Sequence, residues 1–258
     1  MAPDYRVATF VGPGALGTAH SVFLREHLEE APFLEQSQHT SDTLVLLEAP
    51  GASKGDTPLR VRFFANGHPI LRCGSGALAA AWVLSEHCGQ SARTPVHLRT
   101  TEETVRVFRD GEGFGYESMP LGQQPLQETG VWQRIVGARV RSGALCGSES
   151  DYAIVELESE EMVRAAIPDL PGLTHASERA LILTARENRH YVLRYFAPQY
   201  GQPEGSATGS ANIQLLHYWY GQGCREAMTA RQCSTSAGEF WGMPGADTVR
   251  LYGRVKAT

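Results

Sequence analysis

The sequence contains no CxxC pair, and none of its five cysteines (Cys73, Cys88, Cys146, Cys224, Cys233) lies at zinc-ligand spacing from a cysteine or histidine. This excludes a disulfide framework and a zinc site, and points to a cytoplasmic protein with reduced thiols. No apolar run approaches the roughly 20 residues that span a bilayer, so no membrane partner is expected. The opening Met1-Ala2-Pro3-Asp4-Tyr5-Arg6 lacks the basic region and apolar core of a signal peptide. Positive charge is not in excess either: 23 Lys and Arg face 28 Asp and Glu, a net charge of −5. A general nucleic-acid surface, which needs a positive face, is excluded. There is no low-complexity tract and no charge block.

What is present is a soluble composition, 42% hydrophobic and 20% charged, with 27 glycines in 258 residues. Such a length suits one large domain or two of about 130 residues. A weak internal repeat favours two. One copy reads Arg62-Phe63-Phe64-Ala65, a gap, then Cys73-Gly74-Ser75-Gly76-Ala77. The other reads Arg194-Tyr195-Phe196-Ala197, a gap, then Thr208-Gly209-Ser210-Ala211. In each copy a strand (Leu59–Phe64, Tyr191–Phe196) leads through a polar loop to a Gly-Ser turn. An apolar helical run follows (Ala77–Leu84, Ile213–Tyr220). Other strands are expected at Thr43–Glu48, Val96–Thr100, Thr104–Phe108, Tyr152–Leu157, Ala180–Thr184 and Thr248–Val255. Further helices are expected at Thr18–Glu30 and at Ser159–Ala166, the latter with Ser159 as N-cap. Many strands with few helices indicate an α+β fold. The Met119–Gln127 stretch is the best linker, which divides the chain into domains 1–119 and 120–258, with the terminal strand able to cross to the first.

A Gly-rich turn opening a helix is suited to binding an anion, because the first N–H groups lack partners and the helix dipole is positive there. Two such turns facing one another would hold a carboxylate and stabilise an enolate-like charge beside it. Either turn alone is as readily just a tight turn; their duplication in matching contexts favours the functional reading. Cys73 at the helix start is expected to ionise easily and act as a base or nucleophile, the alternative being a buried structural cysteine. Thr208 occupies the opposite slot and is a poor base. Asp42, at the mouth of a strand, reads as a turn residue on local physics. Glu204 reads equally as an exposed carboxylate or a site residue, and His68 as a surface histidine.

At these residues the chain resembles the superfamily of diaminopimelate epimerase and the PhzF-like isomerases of phenazine biosynthesis. Phe63-Phe64-Ala65-Asn66-Gly67 through Cys73-Gly74-Ser75-Gly76-Ala77 is similar to the epimerase segment ending in CGNGA. Glu204-Gly205-Ser206-Ala207-Thr208-Gly209-Ser210-Ala211 is similar to the PhzF segment EDPATGSA, Ser41-Asp42-Thr43-Leu44-Val45 to SETxFV, and Arg231-Gln232-Cys233-Ser234 with the last strand to the family's tail. The resemblance implies two domains of one topology, each a curved, mostly antiparallel sheet around a central helix, with the site in the cleft between them. It also implies proton transfer without metal or organic cofactor. Asp42 stands where PhzF-like proteins carry their acid/base Glu, and Cys73 matches one of the two epimerase cysteines, while Thr208 replaces the other. Ser75 and Gly205 replace a PhzF His and Asp.

The expected function is thus an isomerase moving a proton next to the carboxylate of a small amino or hydroxy acid. Cys73 and Asp42 are the catalytic candidates. Asn66, Gly74, Ser75, Gly76, Glu204, Thr208, Gly209 and Ser210 are the substrate-binding candidates. A dehydratase of a hydroxy amino acid, or a binding protein without catalysis, are the alternatives. The resemblance also suggests a homodimer.

Overall fold

The computed structural model describes residues 1–51, 57–89, 94–111 and 113–258. The chain begins β1 (Tyr5–Val11), β2 (Thr18–Arg25), α1 (Ala31–Ser37), β3 (Thr43–Glu48), β4 (Leu59–Ala65), β5 (His68–Pro69) and α2 (Gly74–His87). It continues β6 (Val96–Arg99), β7 (Thr104–Asp110), β8 (Gly113–Ser118), β9 (Gln123–Pro125), α3 (Gly130–Val136), β10 (Ser142–Cys146), β11 (Tyr152–Glu156), α4 (Glu160–Ala165) and α5 (Leu170–Ala176). Last come β12 (Ala180–Glu187), β13 (His190–Phe196), a 3₁₀ turn, α6 (Gly209–Gly221), β14 (Met228–Gln232), β15 (Gly238–Met243) and β16 (Val249–Ala257). Two compact units result, one of Met1–Ser118 with Arg250–Thr258, the other of Met119–Val249. The second unit therefore stops short of the chain end, and the terminal strand belongs to the first.

In the first unit the strands run in the order β1-β2-β3-β4-β6-β7-β8-β16, and β16 pairs again with β1, so the sheet closes on itself. Pairing is mostly antiparallel; β2–β3 and β4–β6 are parallel. The helix α2 packs on β1, β2, β3, β7 and β8. Its Gly74 to Ala81 run, Val83 and Leu84 are all buried, as a helix apolar on every side must be when strands enclose it. Outside the sheet, α1 sets Phe33 against Phe23 and Phe64, over Leu44 and Leu46.

The expected helix at Thr18–Glu30 is not formed. Its first eight residues are the strand β2, followed by a loop. Periodicity misled here because both faces of β2 are covered. Ser21 and Phe23 lie on the α1 side, His20 and Val22 on the α2 side, and continuous burial erases the period-2 alternation that marks a half-buried strand.

The second unit orders its strands β9-β10-β11-β12-β13-β14-β15. One face carries Ala153, Val155, Leu181, Leu183, Val192 and Phe196 against Trp132 and Ile135 of α3, Val163 of α4 and Leu173 of α5. Ser159 caps α4 through a hydrogen bond from Met162 N–H. On the other face lies α6, tied down by polar contacts. Tyr191 Oη donates to Asn212 Oδ1 at 2.8 Å, and Tyr218 Oη donates to Glu156 Oε2 at 2.8 Å. The Leu121 N–H donates to Gln214 Oε1 at 3.0 Å.

Candidate active site

The turn into α2 is shaped by its small residues. Cys73 is the N-cap, and its Sγ accepts from Gly76 N–H at 3.3 Å while lying 3.4 Å from Ser75 Oγ. A Cβ on Gly76 would meet the Phe63 ring at 2.6 Å and Cys73 Sγ at 3.1 Å; one on Gly74 would meet Tyr116 Oη at 1.9 Å. Glycine is thus required for the helix start to lie against β4 and β8. Replacing Gly74 by Ala is expected to cost about 2 kcal/mol, in the range for overpacking a core. A melting temperature lower by roughly 4–8 °C follows. Gly122, where a Cβ meets nothing within 4 Å, is the control, and its Ala variant should melt like the wild type.

The electrostatics of Cys73 differ from the expectation. Burial pushes the thiol up, against the lowering effects of the Ser75 hydroxyl and Gly76 N–H. The helix terminus does not make a ready thiolate here, because the sulfur is desolvated between β4 and the helix it caps. Cys73 is a thiol at neutral pH. Burial also raises Cys88, Cys233 and Cys146, the last to about 12.

Asp42, partly exposed just before β3, is held from β2. The Ser21 hydroxyl donates to Asp42 Oδ2 at 2.8 Å, and the Asp42 N–H donates to Thr40 Oγ1 at 3.1 Å. Beside them His20 is fully buried, and neither ring nitrogen makes a hydrogen bond of good geometry. Burial lowers its pKa to about 4, although the Asp42 charge and the backbone at Thr18 and Val7 pull upward. Ser21 and His20 drew no notice in the sequence, since nothing local distinguishes them from core positions. The only signal was a polar pair inside an apolar run.

The turn into α6 is built differently. Thr208 is the N-cap but makes no side-chain cap hydrogen bond. Gln232 of β14, fully buried, holds it instead. Gln232 Oε1 accepts from Thr208 N–H at 2.7 Å, and its Nε2 donates to Gly205 O at 2.6 Å and to Thr208 Oγ1 at 3.2 Å. The Ser234 hydroxyl donates to Ser206 O. Ser210 remains partly exposed in the first turn of α6.

Two sequence candidates have other work. Glu204 forms a two-point ion pair with Arg194, at 2.8 and 2.9 Å, and Arg194 in turn donates to Ala166 O after α4. Asn66, exposed with φ of 52°, and Gly67, with φ of 79°, form the two-residue turn between β4 and β5, a conformation for which Asn-Gly is preferred. His68 is exposed on β5. Among the described residues, no three His, Cys, Asp or Glu side chains are grouped to hold a metal ion, and no helix is long and apolar enough to cross a membrane.

The model of the phenazine biosynthesis-like proteins, PhzC-PhzF, matches residues 22–257. The chain belongs to this family. Among its PhzF relatives, a Pseudomonas aeruginosa protein called an uncharacterized isomerase is 32% identical over 195 residues, 75% of this chain and 73% of that one. A Vibrio cholerae protein of the same description is 45% identical over 188 residues, 72% of this chain and 64% of that one. The crystal structure of a PhzF-family protein from Enterococcus faecalis superposes with a TM-score of 0.85 at 21% identity, covering 98% of this chain and 95% of that one. The fold is accordingly the PhzF and epimerase-like fold that the resemblance implied.

Proposed function

We propose that the protein is an isomerase that moves a proton at the carbon next to the carboxylate of a small amino or hydroxy acid, with no metal or organic cofactor. The family relatives described as isomerases support the reaction class. The observation that supports the chemistry is that one unit holds two proton-carrying groups in different settings. Cys73 is a partly buried thiol at the start of α2, and Asp42 is a carboxylate steadied by the Ser21 hydroxyl.

The roles follow from those settings. Asp42 takes the proton from the substrate carbon, and the electron pair left behind spreads into the neighbouring carboxylate. The Cys73 S–H then returns a proton to that carbon or to the far end of an adjacent double bond. Solvent exchange restores Asp42 and Cys73. Oxygens of a substrate are suited to the N–H groups at a helix start that have no intrahelical acceptor, which in the first unit are those of Gly74 and Ser75 and in the second unit those of Gly209 and Ser210. The Thr208, Ser75 and Ser210 hydroxyls assist. Gly76 N–H is already used by Cys73 Sγ, so Gly76 serves by leaving room for the thiol. The test is hydrogen exchange into substrate in heavy water, in the presence of a chelator and without added cofactor. Exchange that needs added metal would overturn the cofactor-independent reading.

A further inference from the structure

The two turns treat their N-cap side chains in opposite ways. Cys73 Sγ accepts from the amide of its own helix. Thr208 Oγ1 does not, and accepts from Gln232 instead. The orientation of the Gln232 amide follows from its other partners. Thr208 N–H can only donate and Gly205 C=O can only accept, so Oε1 must face the first and Nε2 the second. The remaining Nε2 hydrogen then points at Thr208 Oγ1. The Thr208 carbonyl is also occupied, by Asn212 Nδ2 at 2.9 Å, and Asn212 is itself fixed by Tyr191. Thr208 is therefore held from inside at its N–H, its carbonyl and its hydroxyl oxygen. What it keeps for the partly exposed side is the hydroxyl hydrogen.

We propose that Gln232 is a positioning residue that fixes Thr208 as a hydrogen-bond donor toward the ligand, so that this turn selects an acceptor such as a carboxylate oxygen and does not take up a proton. The proposal rests on the reading of Thr208 as a substrate-binding residue. It assigns the turn into α6 a binding role with no proton to carry. It also disfavours Thr208 as the base of a two-base epimerisation or of a dehydration.

The test needs no substrate, which separates its failure from failure of the proposed function. Thr208→Cys places a thiol where Gln232 donates. Iodoacetamide alkylation across pH 6–10, resolved by peptide mass spectrometry, reports the ionisation midpoint of that thiol and of Cys73 in the same molecule. A hydrogen bond received from Gln232 stabilises the thiolate. The introduced thiol is expected to ionise at least about one pH unit below Cys73, which is roughly tenfold in thiolate fraction. Adding Gln232→Met removes both Nε2 hydrogens without adding a charge. It should move the midpoint up by about one unit, whereas Gln232→Glu, which adds a negative charge beside the thiol, should move it further. Equal midpoints with Gln and Met would overturn the proposal. If the Gln232→Met protein does not fold, the single variant decides: a midpoint at or above that of Cys73 overturns it.

Discussion

Asp42→Asn lowers hydrogen exchange into substrate by about 10²–10⁴-fold, the usual contribution of a positioned general base. The effect is expected on the rate and not on the fold. Asn retains an oxygen that accepts from Ser21 in the place of Oδ2, so thermal stability should stay within about 1 kcal/mol of wild type. Substrate affinity should change little, because the proposed carboxylate donors are backbone N–H groups elsewhere. Cys73→Ser should also slow the exchange, by roughly 10²-fold, since a hydroxyl is a far weaker acid than the thiol it replaces. Both variants are read by the same proton NMR assay. If Asp42→Asn exchanges at the wild-type rate, Asp42 is a turn residue and the base must be sought elsewhere.

The second large effect is on stability and comes from His20. In the folded protein its pKa is about 4, against 6.5 for an unperturbed histidine, chiefly because burial disfavours the cation. The unfolded chain therefore binds the extra proton first as pH falls below 6.5. Stability is fully present above that value and is lost progressively down to about pH 4. The shift corresponds to about 3 kcal/mol across this window. Denaturant unfolding of the wild type and of His20→Gln, each at pH 7 and pH 4.5, isolates this contribution from the titration of surface carboxylates. The wild type should lose some 2–3 kcal/mol more than the variant. An equal loss in both would mean that His20 is charged, or solvated, in the folded state.

Much of this architecture could be read from sequence because local patterns and tertiary demands coincide. β3 spans the expected Thr43–Glu48, an apolar run bounded by turn residues, and α4 begins after Ser159 because a serine hydroxyl there satisfies an orphan N–H. The Gly-Ser turn before α2 is visible because close helix packing tolerates only small residues there. β2 was misread because strands covered on both faces lose their alternation.

The site was legible by position and much less by partner. Cys73 looked like a thiolate from its place at a helix start, whereas burial, a tertiary quantity, raises it. Glu204 reads equally as an exposed carboxylate or a site residue, and nothing local names its cation, Arg194 on the strand preceding the same loop. Asn66 is a substrate-contact candidate in the sequence, and its positive φ shows that it also makes the β4–β5 turn. Gln232 stood within a segment that resembles the family's tail, but nothing in the order of residues told that its amide would reach back 24 positions to Thr208.

Proton transfer at a carbon beside a carboxylate is tested most directly in heavy water. The wild-type protein, with chelator present, is incubated in D₂O with small amino and hydroxy acids whose binding is first shown by a rise in melting temperature. Proton NMR then follows the signal of the hydrogen on the carbon next to the carboxylate. This signal is expected to fade for at least one bound acid, at a rate that falls at least about a hundredfold in Asp42→Asn. An acid that binds and stabilises the protein while its hydrogen persists unexchanged, across the panel, would contradict proton transfer and leave a binding protein on an isomerase fold.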